Sequence, residues 1–198
     1  MKTLIIHPTD RTTTFLTGIY KNLVDKTVIT GGLTKDQLRK HILEHDRILM
    51  MGHGSPAGLF SVGRFPGAYP YIVDESMVDV LRQKTNSIFI WCYASEFVKR
   101  HNLCGFATEM FISEIAEGLI YGFEDADDLD NLIEQSIYGF AEIVSRHINE
   151  PLDVLHQNVL NEYGKLAKTN PIASFNFKRL YLSQPEPAMF PNNVGRIL

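Results

Sequence analysis

Cysteine is scarce in this sequence, which contains only Cys92 and Cys104. Cys92 follows a predicted strand and Cys104 a predicted helix, so a structural disulfide is not indicated and a reducing cytoplasm is the default compartment. Long apolar runs are also missing, because none approaches the roughly 20 residues that a membrane-spanning helix needs. The apolar run at the N-terminus stops at His7–Pro8, which is too short for the core of a signal peptide. We therefore expect a cytoplasmic protein with no membrane partner.

Positive charge is not in excess, because 23 acidic residues against 19 basic ones give a net charge of −4. Proteins that bind nucleic acid generally carry a basic face, so nucleic acid is not an expected partner. The turn after the first predicted strand, His7–Arg11, contains no glycine, which argues against the phosphate loop of a nucleotide-binding fold. The histidines and cysteines also do not form a complete metal-ligand motif. We expect neither a metal nor another cofactor.

Two short apolar segments stand out against this background. Arg47–Met51 (RILMM) is followed by glycine, His53 and glycine, and Ser87–Cys92 (SIFIWC) ends in a cysteine. Continuous apolar runs of this length are typical of strands that are buried on both faces of a parallel sheet. In such sheets, ligands bind at the carboxyl ends of the strands. The pattern therefore predicts that His53 and Cys92 share one crevice.

The rest of the chain alternates strands and helices. Further strands are predicted at Thr3–His7, Thr27–Ile29, Gly105–Ile112 and Ser174–Leu182. The longer predicted helices are Phe15–Leu23, Lys35–Glu44, Glu75–Gln83, Leu129–His147 and Pro151–Lys168. This alternation favours an α/β fold in which helices cover both faces of a mostly parallel sheet. We expect one three-layer, flavodoxin-like domain over residues 1–184, followed by a tail, residues 185–198, that lies on its surface.

A histidine and a cysteine in one crevice can perform nucleophilic catalysis. The histidine takes the thiol proton, so Cys92 should ionise more readily than Cys104. The backbone N–H groups of Gly54 and Cys92 are candidates for an oxyanion hole. Each residue also has a structural interpretation, since a lone cysteine on an apolar strand is often a small core residue. His7, at the end of the first strand, could line the same crevice or replace His53.

The order of these elements resembles that of the clan CD cysteine peptidases, which include caspases, gingipains and clostripain. The resemblance is carried by Ile48–Ser55 (ILMMGHGS) and Ile88–Ser95 (IFIWCYAS), and it covers residues 1–112. It implies a caspase-like sandwich with an antiparallel edge strand, a catalytic pair of His53 and Cys92, and a peptide or protein substrate. Caspases have a glutamine two residues before the cysteine, and Ile90 in its place argues against cleavage after aspartate.

The resemblance also implies a substrate pocket near the ends of several strands. In this chain those ends offer Asp10, Arg11, Ile90, Ser113 and Glu114. Acids outnumber bases there, so we expect cleavage after a basic residue, since a buried carboxylate needs a cationic partner. Glu117 and Asp125 are further acidic candidates for the same role. The alternative to a peptidase is a catalytically inactive caspase-like or flavodoxin-like module that binds a partner.

Overall fold

The computed structural model describes residues 1–184, so the predicted tail, residues 185–198, lies outside the described residues. The strands are β1 (Thr3–Ile6), β2 (Lys26–Ile29), β3 (Arg47–Met51), β4 (Gly54–Ser55), β5 (Gly58–Phe60), β6 (Tyr71–Val73), β7 (Ser87–Ile90), β8 (Gly105–Thr108) and β9 (Leu180–Ser183). The helices are α1 (Thr17–Tyr20), α2 (Lys35–Glu44), α3 (Val78–Leu81), α4 (Ala94–Arg100), α5 (Ile115–Ile120), α6 (Leu129–His147), α7 (Leu152–Leu166) and α8 (Pro171–Phe177). Among these helices, none has the length and apolar character needed to cross a bilayer.

Six strands form one sheet in the order β2-β1-β3-β7-β8-β9. The strands β1, β3 and β7 are central and parallel, which confirms the prediction for the apolar segments. Every residue of these three strands is buried, as their sequences indicate. The edge strand β9 runs antiparallel to β8. The chain therefore has the predicted α/β class with a mostly parallel sheet.

Alternate side chains of the sheet point into two separate apolar layers. Ile5, Leu49 and Ile88 face a layer formed with α1, α6, α7 and α8. Leu4, Ile48 and Phe89 face the opposite layer, formed with α2, α3 and α4. Because strand residues point alternately to the two faces, fully apolar strands are needed to fill both layers. The result is the predicted three-layer sandwich.

The predicted last strand, Ser174–Leu182, is wrong over its first half. Residues 171–177 form helix α8, and the strand begins only at Leu180. Pro171 occupies the start of the helix, and the side chain of Asn170 accepts a hydrogen bond from the backbone N–H of Ala173. These are strong helix-initiation features, and they outweigh the local alternation of polar and apolar residues. The strand predicted at Gly105–Ile112 likewise ends at Thr108.

The buried side chain of Asn176 on α8 fixes the segment that follows β8. Its Oδ1 atom accepts a hydrogen bond from the backbone N–H of Ile112 at 2.7 Å, and its Nδ2 atom donates to the carbonyl of Ile112 at 3.0 Å. The same Nδ2 atom donates to Oγ of Ser136 on α6 at 3.1 Å. One amide thus joins two helices to the chain just before α5.

Replacing this amide tests its structural role. We expect Asn176→Ala to lower the free energy of unfolding by about 2–4 kcal/mol, because both backbone groups of Ile112 would be left buried without a partner. The matched control is Asn161→Ala on the exposed face of α7, which should change stability by less than about 0.5 kcal/mol. Denaturant unfolding measures both values. Equal effects of the two substitutions would contradict the assignment.

Candidate active site

The loop that follows β1 is organised by Asp10. Its Oδ1 atom accepts hydrogen bonds from the backbone N–H and hydroxyl of Thr12, at 2.9 and 3.0 Å, and from the same two groups of Thr13, both at 3.1 Å. Its Oδ2 atom lies 2.9 Å from Nε2 of His53. Burial opposes ionisation of Asp10, but the charge of His53 and these hydrogen bonds outweigh it and lower the pKa of the carboxyl. Asp10, predicted as part of a substrate pocket, is therefore the partner of the histidine.

These contacts determine which ring nitrogen of His53 carries a hydrogen. A carboxylate can only accept, so the hydrogen must be on Nε2, where it is shared between Asp10 and Oγ1 of Thr12 at 2.8 Å. The hydroxyl of Thr12 accepts here because it donates to Oδ1 of Asp10. In the neutral ring, Nδ1 is then the acceptor. His53 thus presents a basic nitrogen on the edge of the ring opposite Asp10.

Cys92 is the second residue after β7, between the strand and helix α4. The next residue, Tyr93, has a left-handed backbone conformation with φ of 66°, which is uncommon for residues other than glycine. This turn takes the chain from the sheet into α4 within three residues, 91–93. The hydroxyl of Tyr93 also lies 2.8 Å from the hydroxyl of Tyr121, at the end of α5. The turn therefore holds α5 beside the cysteine.

His53 and Cys92 line the same cavities, as the sequence predicts. The larger cavity has a volume of about 560 Å³, and Gly54, Met110 and Glu117 also line it. A narrow cavity of about 30 Å³ lies behind the two residues. Both side chains are partly exposed rather than enclosed in the core. This placement favours a functional interpretation of the pair over a purely structural one.

Gly54 makes a close contact with the side chain of Trp91. A Cβ atom at this position would lie 2.2 Å from Cδ1 of Trp91, so any side chain there would displace the indole. The indole nitrogen of Trp91 donates to the carbonyl of Ser55 at 3.1 Å and closes this packing. Glycine is thus required for the strand ends carrying His53 and Cys92 to approach each other. The oxyanion hole formed by the N–H groups of Gly54 and Cys92 stays a prediction.

The larger cavity contains one carboxylate, Glu117 of α5, among the described residues that line it. Its Oε2 atom accepts hydrogen bonds from the backbone N–H groups of Ser113 and Glu114, at 2.7 and 3.1 Å. Its Oε1 atom lies 4.0 Å from Sγ of Cys92. Burial raises the pKa of Glu117, although the N–H donors favour the charged form. Of the three acidic candidates, Glu114, Glu117 and Asp125, only Glu117 lines this cavity.

The expectation that Cys92 ionises readily is wrong for the ligand-free site. Burial, followed by the charge of Glu117, raises the pKa of the Cys92 thiol to about 11. The thiol instead makes long contacts of 4.0 Å to the carbonyl of Phe111 and to Glu117. Cys92 is therefore a thiol in the resting protein.

Several other predicted pocket residues have different roles. Arg11 is exposed, and Ile90 is a core residue of the sheet at 4% exposure that touches only the narrow cavity. Ser113 lines the narrow cavity and donates to Glu117, whereas Glu114 lines neither cavity. These positions follow from α5, which turns Glu117 rather than Glu114 towards the cysteine. Asp125 also lines neither cavity.

His7 does not substitute for His53. It is fully buried, and its Nδ1 atom lies 3.0 Å from the hydroxyl of Tyr20. Burial lowers the pKa of His7 to about 4, so the ring is neutral at physiological pH. His7 lines neither cavity and packs beneath the loop of Asp10. Within residues 1–184, no group of three or more His, Cys, Asp or Glu side chains could hold a metal ion.

The hydrogen position on His53 can be measured directly. We expect ¹⁵N NMR of the neutral imidazole to show hydrogen on Nε2 and a lone pair on Nδ1, because Asp10 accepts at Nε2. Asp10→Ala should remove this preference and produce a mixture of the two tautomers. His41, on the opposite side of the sheet, provides an internal control that the substitution should leave unchanged. A dominant Nδ1–H form in the unmodified protein would contradict the assigned geometry.

The state of the thiol leads to a second prediction. A free cysteine has a pKa near 8.5, whereas that of Cys92 is about 11, so Cys92 should react with iodoacetamide far more slowly than free cysteine at pH 7.5. In a Cys104→Ala background, mass spectrometry follows Cys92 alone. The rate should rise steeply between pH 9 and 11. Rapid alkylation at pH 7 would show that the thiolate is already formed.

Comparisons with known proteins found no relative of this chain. No family model, no curated protein and no solved structure matches the chain.

Proposed function

We propose that this protein is a cysteine hydrolase that cleaves peptide bonds, with Cys92 as nucleophile, His53 as general base and Asp10 as the residue that orients the histidine. The observation that carries the proposal is the 2.9 Å contact of Nε2 of His53 with Oδ2 of Asp10, in a histidine that shares a cavity with Cys92. In catalytic triads, an acid hydrogen-bonds one nitrogen of an imidazole, and the other nitrogen accepts the proton of the nucleophile. The three-layer fold and its antiparallel edge strand support the resemblance to the clan CD peptidases.

The reaction is an acyl transfer in two steps. Nδ1 of His53 takes the proton of the Cys92 thiol while Sγ forms a bond to the carbonyl carbon of the substrate. The tetrahedral intermediate collapses when the carbon–nitrogen bond breaks, and His53 returns the proton to the leaving amine. His53 then takes a proton from water, whose oxygen attacks the thioester carbonyl. The carbon–sulfur bond breaks as His53 returns that proton to the leaving sulfur, which releases a carboxylic acid and regenerates the free thiol.

Asp10 contributes by holding the ring and by stabilising the imidazolium that forms during each step. Its carboxylate is itself fixed by donors from Thr12 and Thr13, so it needs no rearrangement during the reaction. Preorganised charge of this kind is more effective than charge that must be reoriented by the substrate. The lowered pKa of Asp10 keeps the carboxylate ionised at physiological pH.

The cavity fits a peptide side chain better than a small polar metabolite. Its walls include Phe60, Val62, Tyr69, Pro70 and Met110, which are mostly apolar. Apolar walls with a few placed polar groups are typical of ligand sites, and this cavity lies within the volume range of such sites. Glu117 adds a negative charge to an otherwise apolar lining, which supports cleavage after a basic residue.

One observation favours a second candidate, a catalytically inactive module that binds a peptide. Burial and Glu117 raise the pKa of the Cys92 thiol, which is the opposite of what an activated nucleophile needs. A peptidase with this site must deprotonate the thiol during attack rather than beforehand. The two candidates therefore differ in whether His53 can take that proton when the substrate is bound.

A fluorogenic peptide panel separates the two candidates. We expect turnover by the unmodified protein, loss of turnover in Cys92→Ala, and a decrease of about 10²- to 10⁴-fold in kcat for His53→Ala. Asp10→Asn should lower kcat more than it changes KM, because it acts on the transition state through His53. Cys104→Ala is the matched cysteine control and should retain full activity. Turnover that survives Cys92→Ala would exclude the proposed nucleophile, and peptide binding without turnover would favour the binding module.

A further inference from the structure

The contact between Cys92 and Glu117 is not explained by the catalytic mechanism. A carboxylate oxygen 4.0 Å from the sulfur of a nucleophile opposes formation of the thiolate, because two negative charges at that distance repel each other. Asp10 supports the histidine on one side of the site, and Glu117 restrains the cysteine on the other. An acid that served only to begin α5 would not need to face the cavity.

Glu117 is held in this position and cannot turn away. The backbone N–H groups of Ser113 and Glu114 and the hydroxyl of Ser113 all point to its Oε2 atom. Asn176 anchors the chain at Ile112 just before these donors. The other oxygen, Oε1, therefore remains directed at Cys92 and at the cavity that both residues line.

We propose that Glu117 keeps Cys92 in the thiol form until the cationic side chain of a lysine or arginine in the substrate lies against Oε1, so that one residue both selects the substrate and releases the nucleophile. This inference rests on the proposed peptidase function. The cation neutralises Glu117, the repulsion on Sγ falls, and His53 can then remove the thiol proton. A neutral or acidic side chain leaves the restraint in place.

The lining of the cavity supports a cationic occupant. No lysine or arginine lines it among the described residues, so none of these lining residues carries a permanent positive charge that neutralises Glu117. The apolar side chains of Phe60, Val62 and Met110 can cover the methylene stem of a long basic side chain. A buried carboxylate facing such a cavity is stabilised by an incoming cation and destabilised by an incoming anion.

The other charged groups near Cys92 do not combine repulsion of the thiolate with access for a cationic substrate. Glu114, on the same helix, adds a smaller repulsion of the same sign to Cys92. The carboxylate of Asp10 lines neither cavity and is already occupied by His53, Thr12 and Thr13. His53, when protonated, would favour the thiolate, but it is also the group that must accept the proton. Glu117 is thus the charge that a substrate can neutralise.

The test measures the reactivity of the thiol rather than turnover. In the Cys104→Ala background, iodoacetamide alkylates Cys92 by forming a carbon–sulfur bond, with loss of iodide and of the thiol proton to solvent. We expect n-butylguanidinium or n-butylammonium to accelerate this reaction at pH 7.5 by about tenfold, which corresponds to a fall of one unit in the pKa of Cys92. Neutral n-butanol, and sodium chloride at the same ionic strength, should have no effect.

Substitutions test whether the acceleration of Cys92 alkylation by cations depends on Glu117. Glu117→Gln retains an acceptor for the N–H groups of Ser113 and Glu114, and it should raise the basal alkylation rate and abolish the response to the cations. Glu124→Gln removes an exposed charge just after α5 and serves as the matched control, with an unchanged response. If Glu117→Gln fails to fold, the cation titration of the unmodified protein still decides the question, because absence of acceleration there overturns the proposal.

Peptide cleavage distinguishes failure of this proposal from failure of the peptidase function. Substrates with arginine and its neutral isostere citrulline at the cleavage position should differ in kcat as well as KM, and Glu117→Gln should abolish that difference. Cation-dependent alkylation without cleavage of any peptide would support the charge coupling and overturn the peptidase assignment. Equal cleavage of the arginine and citrulline peptides, with alkylation independent of cations, would overturn the coupling and leave the peptidase intact.

Discussion

The bond between Asp10 and His53 is the interaction on which the site depends. One oxygen of Asp10 is occupied by Thr12 and Thr13, so the carboxylate folds the loop after β1 around itself. The other oxygen is left to face Nε2 of His53, which lies on the neighbouring strand end. The same carboxylate therefore stabilises the local backbone and fixes the tautomer of the ring. Without the hydrogen bonds from Thr12 and Thr13, the carboxylate would not be held against Nε2, and without the carboxylate, the ring would have no preferred tautomer.

The sheet brings these groups together because β1, β3 and β7 are parallel neighbours. Their carboxyl ends meet at one edge, which places His53 and Cys92 in one cavity and Asp10 against His53, although the three residues are distant in the sequence. This part of the structure could be predicted from the sequence alone. Segments in which every residue but the first is apolar are typical of strands buried on both faces, and this predicts their central place in the sheet. The shared cavity of His53 and Cys92 follows from the same reasoning.

The parts that sequence reasoning missed depend on contacts between distant segments. Asp10 can pair with His53 only if the loop after β1 brings it to the end of β3. No local sequence pattern predicts that path of the loop. Glu114 and Glu117 lie three residues apart at the start of α5, and only the approach of α5 to Cys92 determines which acid faces the thiol. The raised pKa of Cys92 follows from that same approach. The boundary of β9 was missed for a different reason, since the helix signal of Asn170–Pro171 was local and readable.

The two carboxylates of the site act in opposite directions because of what each one faces. In the proposed mechanism, Asp10 lies against a group that becomes positive, so its charge lowers the barrier to proton transfer. In the same mechanism, Glu117 lies against a group that becomes negative, so its charge raises that barrier until it is neutralised. Both carboxylates are fixed by backbone N–H donors, so neither can adjust its position to relieve this opposition. Under the proposed coupling, the charge of Glu117 is offset only when a cationic molecule enters the cavity that it lines with Cys92. Such a site would make reactivity a property of the complex with the substrate, because the thiol resists ionisation until that cation is bound.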